Sequence, residues 1–508
     1  MTGGIALRVN GQPVTVRDET GSLLDLLREQ LGLHAAKDGC SPQGQCGCCT
    51  VLVDGAPRVA CVTPVARLAG REITTLEGLD PATADRWTSA FTATGASQCG
   101  FCTPGIIVRL SALDRHDEAT VGRALLAHLC RCTGWRTIFD ACAVAASGHA
   151  PPARDFDRAA RRATIEGGVH QRVGPEVAAG GGRFADDSAP ANSLAAAPIP
   201  DGSGWAVGPT VTAARAASGK RQGRRTTASL RWPIEVPDGD WALTLRTTWV
   251  EPAYLETDAS WARPGEVAAD PLANGGAFGG KTDATVARAS VELAAEHGQP
   301  VRALWSREDV VRWGPKRPPV AIGVRADGSG IVRVVRTSGI ADAIHAIAPT
   351  WVVEEVDVAG PPTSVALRAA GWAEAAVALA GLRRRAEITA PNGSRARAEV
   401  SDDGVRVWVD CGDPLDEVVV RSYCIGAAHM ALGWVTSEGI RVDESGEPQD
   451  LTIRSFGILR ATEMPKVDVE IEPSDGSPVN GSDAVFAAVA AAAWIAQGCP
   501  QDWPTGRR

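Results

Sequence analysis

The sequence predicts a protein of the α+β class that consists of three successive parts. Strand-like and helical segments alternate up to about residue 78, residues 79–150 show only helical patterns, and residues 160–508 combine short strand-like runs with a few helices. The length of 508 residues agrees with this division, since a domain takes about 150 residues. We therefore expect two small N-terminal domains, 1–78 and 79–150, followed by a larger α+β region, 160–508.

Composition and charge exclude several classes of protein. Hydrophobic residues make up 44% and charged residues 22% of the chain, as in globular proteins with a packed core. The net charge of -9 gives no indication of a nucleic-acid-binding surface. No run reaches the roughly 18 to 20 apolar residues of a membrane span, and the N-terminus lacks the pattern of a signal peptide. We expect a cytoplasmic protein, or one exported only with a partner.

Short strands and one helix alternate in the first part. Asn10-Gly11 and Asp54-Gly55 are strong signals for two-residue hairpin turns. Ser22 is suited to be the N-cap of an apolar helical pattern. The predicted elements are strands Ile5–Val9 and Pro13–Val16, a helix over residues 22–31, a Gly- and Cys-rich loop over 39–49, and strands Thr50–Val53 and Arg58–Thr63. This order of elements is that of a β-grasp ferredoxin domain.

The second part is predicted to be helical, and the third to mix strands with helices. The helices predicted in the second part are Pro81–Ala93, Pro104–Leu113, Val121–Leu129 and Thr137–Ala146, followed by a linker over Pro151–Arg154. The clearest elements of the third part are strands Trp241–Val250, Val320–Val324 and Val405–Val409 and helices Ala370–Leu382 and Asp483–Gln497.

Cysteine carries most of the functional information in the first part. Four cysteines have the spacing C-x5-C-x2-C-x11-C, close to that of plant-type [2Fe–2S] ferredoxins. These are Cys40, Cys46, Cys49 and Cys61. Zinc is the alternative, but a zinc ribbon has two C-x2-C pairs and this segment has one. Cys48 is a spare thiol, and the extra residue in the first spacing leaves the choice of ligands slightly open.

A second group of cysteines lies at the ends of the helices predicted in the second part. It consists of a C-x2-C pair, Cys99 and Cys102, and a C-x-C pair, Cys130 and Cys132. A C-x-C pair is unusual for a zinc site, whose ligand pairs are typically spaced two to four residues apart. We therefore predict a second iron–sulfur site.

The segments around this second group resemble the iron–sulfur domains of the molybdenum hydroxylases, the family of xanthine dehydrogenase and aldehyde oxidoreductase. The resemblance rests on residues 98–105, QCGFCTPG, and 129–135, LCRCTGW, and it extends over residues 4–147. It implies that Gln98 hydrogen-bonds a pterin cofactor and that the cysteines of the second group hold the [2Fe–2S] cluster next to that cofactor. The first group then holds the cluster that passes electrons outward. His128 stands where the family usually has Asn, and we interpret it as a polar neighbour rather than a ligand.

The third part resembles a shortened molybdenum-binding subunit of the same family. Segments 172–187, 252–256, 305–309 and 316–318 resemble short motifs of that subunit. The loop over residues 275–281, GGAFGGK, resembles its glycine loop, which implies that Gly275, Gly276 and Gly279 bind the molybdenum cofactor and that Phe278 lies near the substrate. Main-chain N–H groups of such a loop can approach an anion closely, although tight turns are the commoner reason for glycines.

Other motifs of the molybdenum-binding region are altered or missing. The family's general base is a Glu near the C-terminus, and Ser482 takes its position here. A Ser hydroxyl cannot act as this base near neutral pH without another activator. Asp483 could replace it if the loop shifted by one residue; otherwise Ser482 or Asp483 caps the helix that follows. The sequence leaves open both the catalytic residue and the binding of a molybdopterin cofactor.

Five further polar or thiol side chains are assigned structural roles. We expect His429 to be a packed core residue, and Cys411 and Cys424 to be inert buried thiols rather than a copper or persulfide site. Glu256 and Glu308 are expected to form salt bridges.

The leading prediction is an oxidoreductase component of a molybdenum-hydroxylase system. It relays single electrons through two [2Fe–2S] clusters from a molybdenum centre to a flavin or other acceptor. The chain shows no FAD-binding segment, so the expected partners are a full molybdopterin subunit and one that contains FAD. One alternative is a compact active hydroxylase of an aldehyde or N-heterocycle, which would bind a small-molecule substrate only if its molybdenum site is intact. The other is a non-catalytic assembly or redox-sensing protein.

Overall fold

The first part of the chain forms a five-stranded sheet in the computed structural model, which describes residues 4–16, 21–149 and 151–506. Its elements are β1 (Ile5–Val9), β2 (Gln12–Val16), α1 (Leu23–Asp25), β3 (Thr50–Val53), β4 (Ala56–Val59) and β5 (Glu72–Thr74). The strand order is β2-β1-β5-β3-β4. Ser22 caps α1 in a capping box with Asp25, and the helix continues as one π-type turn, Leu26–Gln30.

The strand predicted over residues 58–63 is shorter than expected. Strand β4 ends at Val59, and Ala60–Val62 forms a 3-10 turn. The Ala60 N–H donates to the Cys49 carbonyl, 3.1 Å away, which bends the chain back toward the cysteine loop. This turn carries Cys61 into the interior, where it is 6% exposed.

The second part is a bundle of four helices, as predicted. The helices are α2 (Pro81–Ala93), α3 (Thr103–Ser111), α4 (Glu118–Ala124) and α5 (Arg136–Ser147). The helix predicted over 121–129 is wrong at its C-terminal end, because α4 stops at Ala124 and a 3-10 turn, Leu125–Ala127, follows. The Leu129 N–H donates to the Cys46 carbonyl of the first part at 2.9 Å instead of continuing the helix. Cys130 and Cys132 therefore lie in a loop.

The third part contains three four-stranded sheets with helices between them. Its first half comprises α6 (Phe156–Gly167), α7 (Pro175–Ala178), α8 (Ala185–Ser188), β6 (Leu194–Pro198), β7 (Trp205–Gly208), α9 (Val211–Ser218), β8 (Leu243–Arg246), β9 (Ala259–Ala262), α10 (Thr285–His297), β10 (Val301–Leu304) and α11 (Arg307–Trp313). Its second half comprises β11 (Val320–Val324), β12 (Gly330–Val335), α12 (Ile340–His345), β13 (Val352–Val356), α13 (Trp372–Arg383), β14 (Glu387–Thr389), β15 (Arg395–Ser401), β16 (Gly404–Asp410), α14 (Glu417–Thr436), β17 (Val467–Ile471) and α15 (Ser482–Ala496).

The sheets of the third part have the orders β7-β6-β10-β9, β13-β12-β11-β8 and β14-β15-β16-β17. The α+β class is therefore confirmed, whereas the residue limits of the three domains stay predictions. Of the strand predicted over residues 241–250, only β8 forms. At its end the Arg246 N–H donates to Gln501 O of the C-terminal segment at 2.6 Å.

Two apolar helices, α14 and α15, form the centre of the third part. They pack against each other, and α15 also packs on β15. By length and composition α14 could cross a membrane, which the sequence prediction did not anticipate, but most of the helix is buried inside the protein. Its apolar residues are therefore accounted for by the core.

Candidate iron–sulfur and cofactor sites

The four cysteines of the first group lie close together. Cys40, Cys46 and Cys49 belong to the loop that follows the π-type turn, and Cys61 belongs to the 3-10 turn after β4. All four are buried. The thiol of Cys40 lies within hydrogen-bonding reach of Cys46 and Cys61, and Cys61 also reaches Cys49. Two main-chain N–H groups point at the sulfurs, from Gln43 to Cys40 Sγ at 3.2 Å and from Cys61 to Cys49 Sγ at 3.4 Å. Such N–H donors are what cluster thiolates need.

Cys48, the spare thiol, is fully buried beside this group and hydrogen-bonds with Cys46. Gly39 makes room for both thiols. A Cβ added to Gly39 would lie 3.2 Å from the Sγ of Cys46 and 3.3 Å from that of Cys48. The hydrogen bond with Cys46 lowers the pKa of Cys48, but burial and the neighbouring thiols outweigh it, and the pKa is raised.

The second group of cysteines is buried between the helical bundle and the third part. The sulfurs of Cys99 and Cys132 are 3.6 Å apart, and Cys102 lies within hydrogen-bonding reach of Cys130. The hydroxyl of Thr133 is 3.1 Å from Cys130 Sγ. The hydrogen bond with Cys102 is the largest influence that lowers the pKa of Cys130, to about 7.

The donor sets fit [2Fe–2S] clusters. In the second group the thiols approach one another in two pairs, Cys99 with Cys132 and Cys102 with Cys130. In the first group Cys40 reaches both Cys46 and Cys61, and Cys61 also reaches Cys49. A [2Fe–2S] cluster takes four thiolates, and each group brings four thiols together.

The two groups of cysteines lie close together. A Cβ on Gly105 in α3 would be 2.5 Å from the carbonyl oxygen of Gly47 and 2.8 Å from that of Cys48. His128 packs against Gly47 and lies 3.1 Å from the hydroxyl of Thr50. It is a polar neighbour in the interior, as the sequence analysis expected.

A cavity of about 340 Å³ adjoins the second group of cysteines. The predicted cofactor residues Gln98, Gly275, Gly276, Phe278 and Gly279 all line it. The amide nitrogen of Gln98 already donates two hydrogen bonds within the protein, to Cys132 O at 3.0 Å and to the Ser422 hydroxyl at 2.9 Å.

The glycine loop is also in direct contact with the second group. Gly275, Gly276, Phe278 and Gly279 all have positive φ angles. A Cβ on Gly276 would lie 3.0 Å from Cys99 Sγ.

The cavity has features of a polar ligand site. Gln171 is 2% exposed, and its amide nitrogen has no hydrogen-bond partner among the described residues. Its amide oxygen accepts from the Tyr423 hydroxyl at 2.6 Å. Ligand pockets commonly measure roughly 300 to 1,000 Å³. The cavity fits the pterin part of a molybdenum cofactor by size and by donor chemistry, and Gln98, Gln171 and the glycine loop are the residues that would hold it.

Asp483 lines this cavity, and Ser482, the residue at the position of the family's general base, directly precedes it. The carboxylate of Asp483 forms a salt bridge with Arg368 at 3.1 Å. Burial is the main reason that the pKa of Asp483 is raised. The Ser482 side chain is fully buried and accepts from Arg368 at 3.2 Å. Asp483 is therefore the only one of the two with an ionisable group facing the cavity.

The prediction that Ser482 or Asp483 caps α15 is wrong. Asn480 supplies the cap, since its side-chain oxygen accepts from the Asp483 N–H at 3.0 Å. Glu166 of α6 accepts from two further N–H groups at this end, those of Gly481 at 3.2 Å and Ser482 at 3.0 Å. Its partner within α6 is Arg162, four residues earlier. Only this i,i+4 spacing could have drawn attention to Glu166 in the sequence.

The five side chains that were assigned structural roles agree with the structure. His429 is buried and hydrogen-bonds Leu459 O at 2.9 Å, and burial lowers its pKa to about 4. Glu256 pairs with Lys281 at 2.7 Å, and Glu308 pairs with Lys220 at 2.9 Å. Cys411 and Cys424 are both buried, and burial raises the pKa of each thiol.

Comparisons with known proteins agree with this arrangement. Residues 7–66 match the family described as "2Fe-2S iron-sulfur cluster binding domain", residues 75–143 the "[2Fe-2S] binding domain", and residues 395–465 the "Molybdopterin cofactor-binding domain". The nicotinate dehydrogenase small FeS subunit of Eubacterium barkeri is 39% identical over 137 residues, which cover 26% of this chain and 87% of that protein. The xanthine dehydrogenase iron-sulfur-binding subunit of Escherichia coli O157:H7 is 42% identical over 142 residues, 26% of this chain and 88% of that protein.

The whole chain resembles a solved structure in its fold. The aldehyde oxidoreductase of Desulfovibrio desulfuricans ATCC 27774 superposes with a TM-score of 0.71 at 14% identity, over 96% of this chain and 97% of that chain. The chain belongs to the molybdenum hydroxylase family. It is an oxidoreductase of that family with two 2Fe-2S domains, followed by a region that retains a partial match to a molybdopterin-binding domain.

Proposed function

We propose that this chain is the electron-relay component of a molybdenum-hydroxylase system, with one cluster held by each group of cysteines. Cys99, Cys102, Cys130 and Cys132 hold the cluster beside the cavity. Cys40, Cys46, Cys49 and Cys61 hold the other cluster. The [2Fe–2S] clusters supply one-electron transfer, and the protein keeps them close together in a dry interior.

The mutual approach of the eight buried thiols, four in each group, is the observation that carries the proposal. Four thiols at each of two neighbouring positions are the donors that two diiron clusters require. The contact between Gly276 and Cys99 supports a direction for electron flow. Electrons enter from the cavity side through the second group and leave through the first.

The exit lies near the surface beside Cys61. Val62, the next residue, is 57% exposed and packs on Gly44 of the cysteine loop. Because no part of the chain resembles an FAD-binding segment, we propose that the acceptor is an FAD-containing subunit in the cytoplasm. A further proposed partner is a full molybdopterin subunit.

The cavity supports a second candidate function, a compact hydroxylase that binds its own molybdenum cofactor. Its size, the free donor of Gln171 and the glycine loop favour this function. The position of Ser482 argues against it, and Asp483 is held by Arg368. Molybdenum and pterin analysis of the chain isolated from its own host separates the two functions. Stoichiometric molybdenum supports the compact hydroxylase, and its absence beside a full content of iron supports the relay.

Removal of one thiolate tests the cluster assignment. We expect Cys102→Ala to remove one of two [2Fe–2S] EPR signals from the dithionite-reduced chain. Iron should fall from about four to about two atoms per chain, because three thiolates no longer hold a diiron centre. EPR spectroscopy and metal analysis of anaerobically purified protein provide the measurement.

Cys142→Ala is the matched control. Cys142 is buried in α5 outside both groups, and burial raises the pKa of its thiol to about 12. This variant should retain both signals. Two unchanged signals in Cys102→Ala, or zinc in place of iron in the unaltered chain, would contradict the proposal.

A further inference from the structure

Arg307 differs from every other buried cation in the described part of the chain. Eight other buried Lys and Arg residues each form a salt bridge with a carboxylate, whereas Arg307 has none. Its side chain is fully buried. A buried charge without a partner is costly, so an arginine in this state needs compensation by some other anion.

The hydrogen bonds of Arg307 do not supply that compensation. Nη2 donates to two main-chain carbonyls, Gly39 O at 2.9 Å and Leu255 O at 2.8 Å. Nε and Nη1 have no partner in the described residues. The ring of Tyr254 lies 5.8 Å from the guanidinium, and its hydroxyl donates to Asp258 at 2.6 Å. Asp258 therefore interacts with Tyr254 and forms no ion pair with Arg307.

The two carbonyls place Arg307 between the candidate clusters. Gly39 directly precedes Cys40, and a Cβ on Gly39 would lie 3.2 Å from Cys46 Sγ. Leu255 lines a small cavity together with three thiols of the second group. Arg307 therefore bridges the backbone beside the first group to the backbone beside the second.

We propose that Arg307 is the counter-charge of the two candidate clusters and that it raises their reduction potentials. A [2Fe–2S] cluster with four thiolates is anionic and gains a further negative charge on reduction. A fixed cation in a low-dielectric interior stabilises the reduced state more than the oxidised one. The inference rests on the proposed cluster ligation and adds to it the residue that sets the potentials.

Charge removal without loss of the side chain is the test. Arg307→Gln keeps an amide donor for the two carbonyls and loses the charge, whereas Arg307→Lys keeps the charge. The control is the double variant Arg317→Met/Glu374→Gln, which removes a buried cation together with the carboxylate that pairs with it at 2.7 Å. Potentials are measured by EPR-monitored redox titration of the anaerobically purified full chain, together with its iron content.

We expect Arg307→Gln to lower the equilibrium constant for reduction of at least one cluster about tenfold, which is about 59 mV for one electron. Arg307→Lys and the double variant Arg317→Met/Glu374→Gln should stay within about twofold of the unaltered chain. If Arg307→Gln assembles no clusters while Arg307→Lys keeps both at their original potentials, the counter-charge is again supported. Unchanged potentials in Arg307→Gln, or loss of the clusters in both variants, would overturn it.

These results are distinguishable from failure of the proposed function. Too little iron or a missing signal in the unaltered chain refutes the cluster assignment itself. Two normal signals whose reduction potentials are the same in Arg307→Gln and in the unaltered chain refute only the role of Arg307.

Discussion

Gly276 shows how a single missing side chain connects the cavity to the second group of cysteines. Its φ of +79° is left-handed, and a Cβ would lie 2.8 Å from Cys99 Cβ and 3.0 Å from Cys99 Sγ. The sequence indicated a loop whose N–H groups approach an anion. It could not indicate that the loop packs on a cysteine 177 residues earlier, because that contact depends on how the parts of the chain are packed.

Gly276→Ala should therefore disturb the second cluster. The added methyl must displace Cys99, and we expect the EPR signal of that cluster to broaden or disappear while the other signal stays. Gly298→Ala is the control, since Gly298 also has a positive φ of +65° but open space around its Cβ. Both variants carry a left-handed backbone cost of about 1 to 2 kcal/mol. If Gly276→Ala and Gly298→Ala gave the same EPR signals, the contact between Gly276 and Cys99 would not constrain the second cluster.

At the scale of elements, the sequence predicted best where the signals are local. Strands β1 and β3 and helix α2 have the predicted limits, because a hairpin turn or a proline near the N-terminus defines them within a few residues. The end of α4 and the cap of α15 could not be predicted. The first depends on Cys46 and the second on Glu166, which is 316 residues away from the N–H of Ser482.

The cap of α15 yields a prediction about stability. Asn480→Ala removes the acceptor of the Asp483 N–H, and such a loss costs about 1 kcal/mol of unfolding free energy. Asn480→Asp keeps an acceptor oxygen and should lose less. Urea unfolding of the full chain under anaerobic conditions measures both. The cap assignment is wrong if the Ala and Asp variants unfold at the same urea concentration as the unaltered chain.

At the scale of the whole molecule, buried charges join the β-grasp part to the third part. Arg28 donates to Asp186 at 2.7 Å and to Asp187 at 2.8 Å, and Lys37 also pairs with Asp187. Arg302 of β10 pairs with Glu29 and, at 2.9 Å, with Asp186. The sequence identified the segment around Asp186 and Asp187 only as a family motif. Its role as the partner of two cations of the first part depends on the packed structure.

Asp187→Asn should weaken this contact strongly. The Lys37 side chain is 1% exposed and would lose its carboxylate, and removal of one partner from a buried pair costs roughly 3 to 5 kcal/mol. Combining it with Lys37→Met removes the stranded charge, so the double variant should recover a large share of that loss. A double-mutant cycle of urea unfolding free energies measures the coupling. If the two single effects simply added, Lys37 and Asp187 would not be coupled, and the other charge contacts, such as Arg28 with Asp186 and Arg302 with Glu29, would have to hold the parts together.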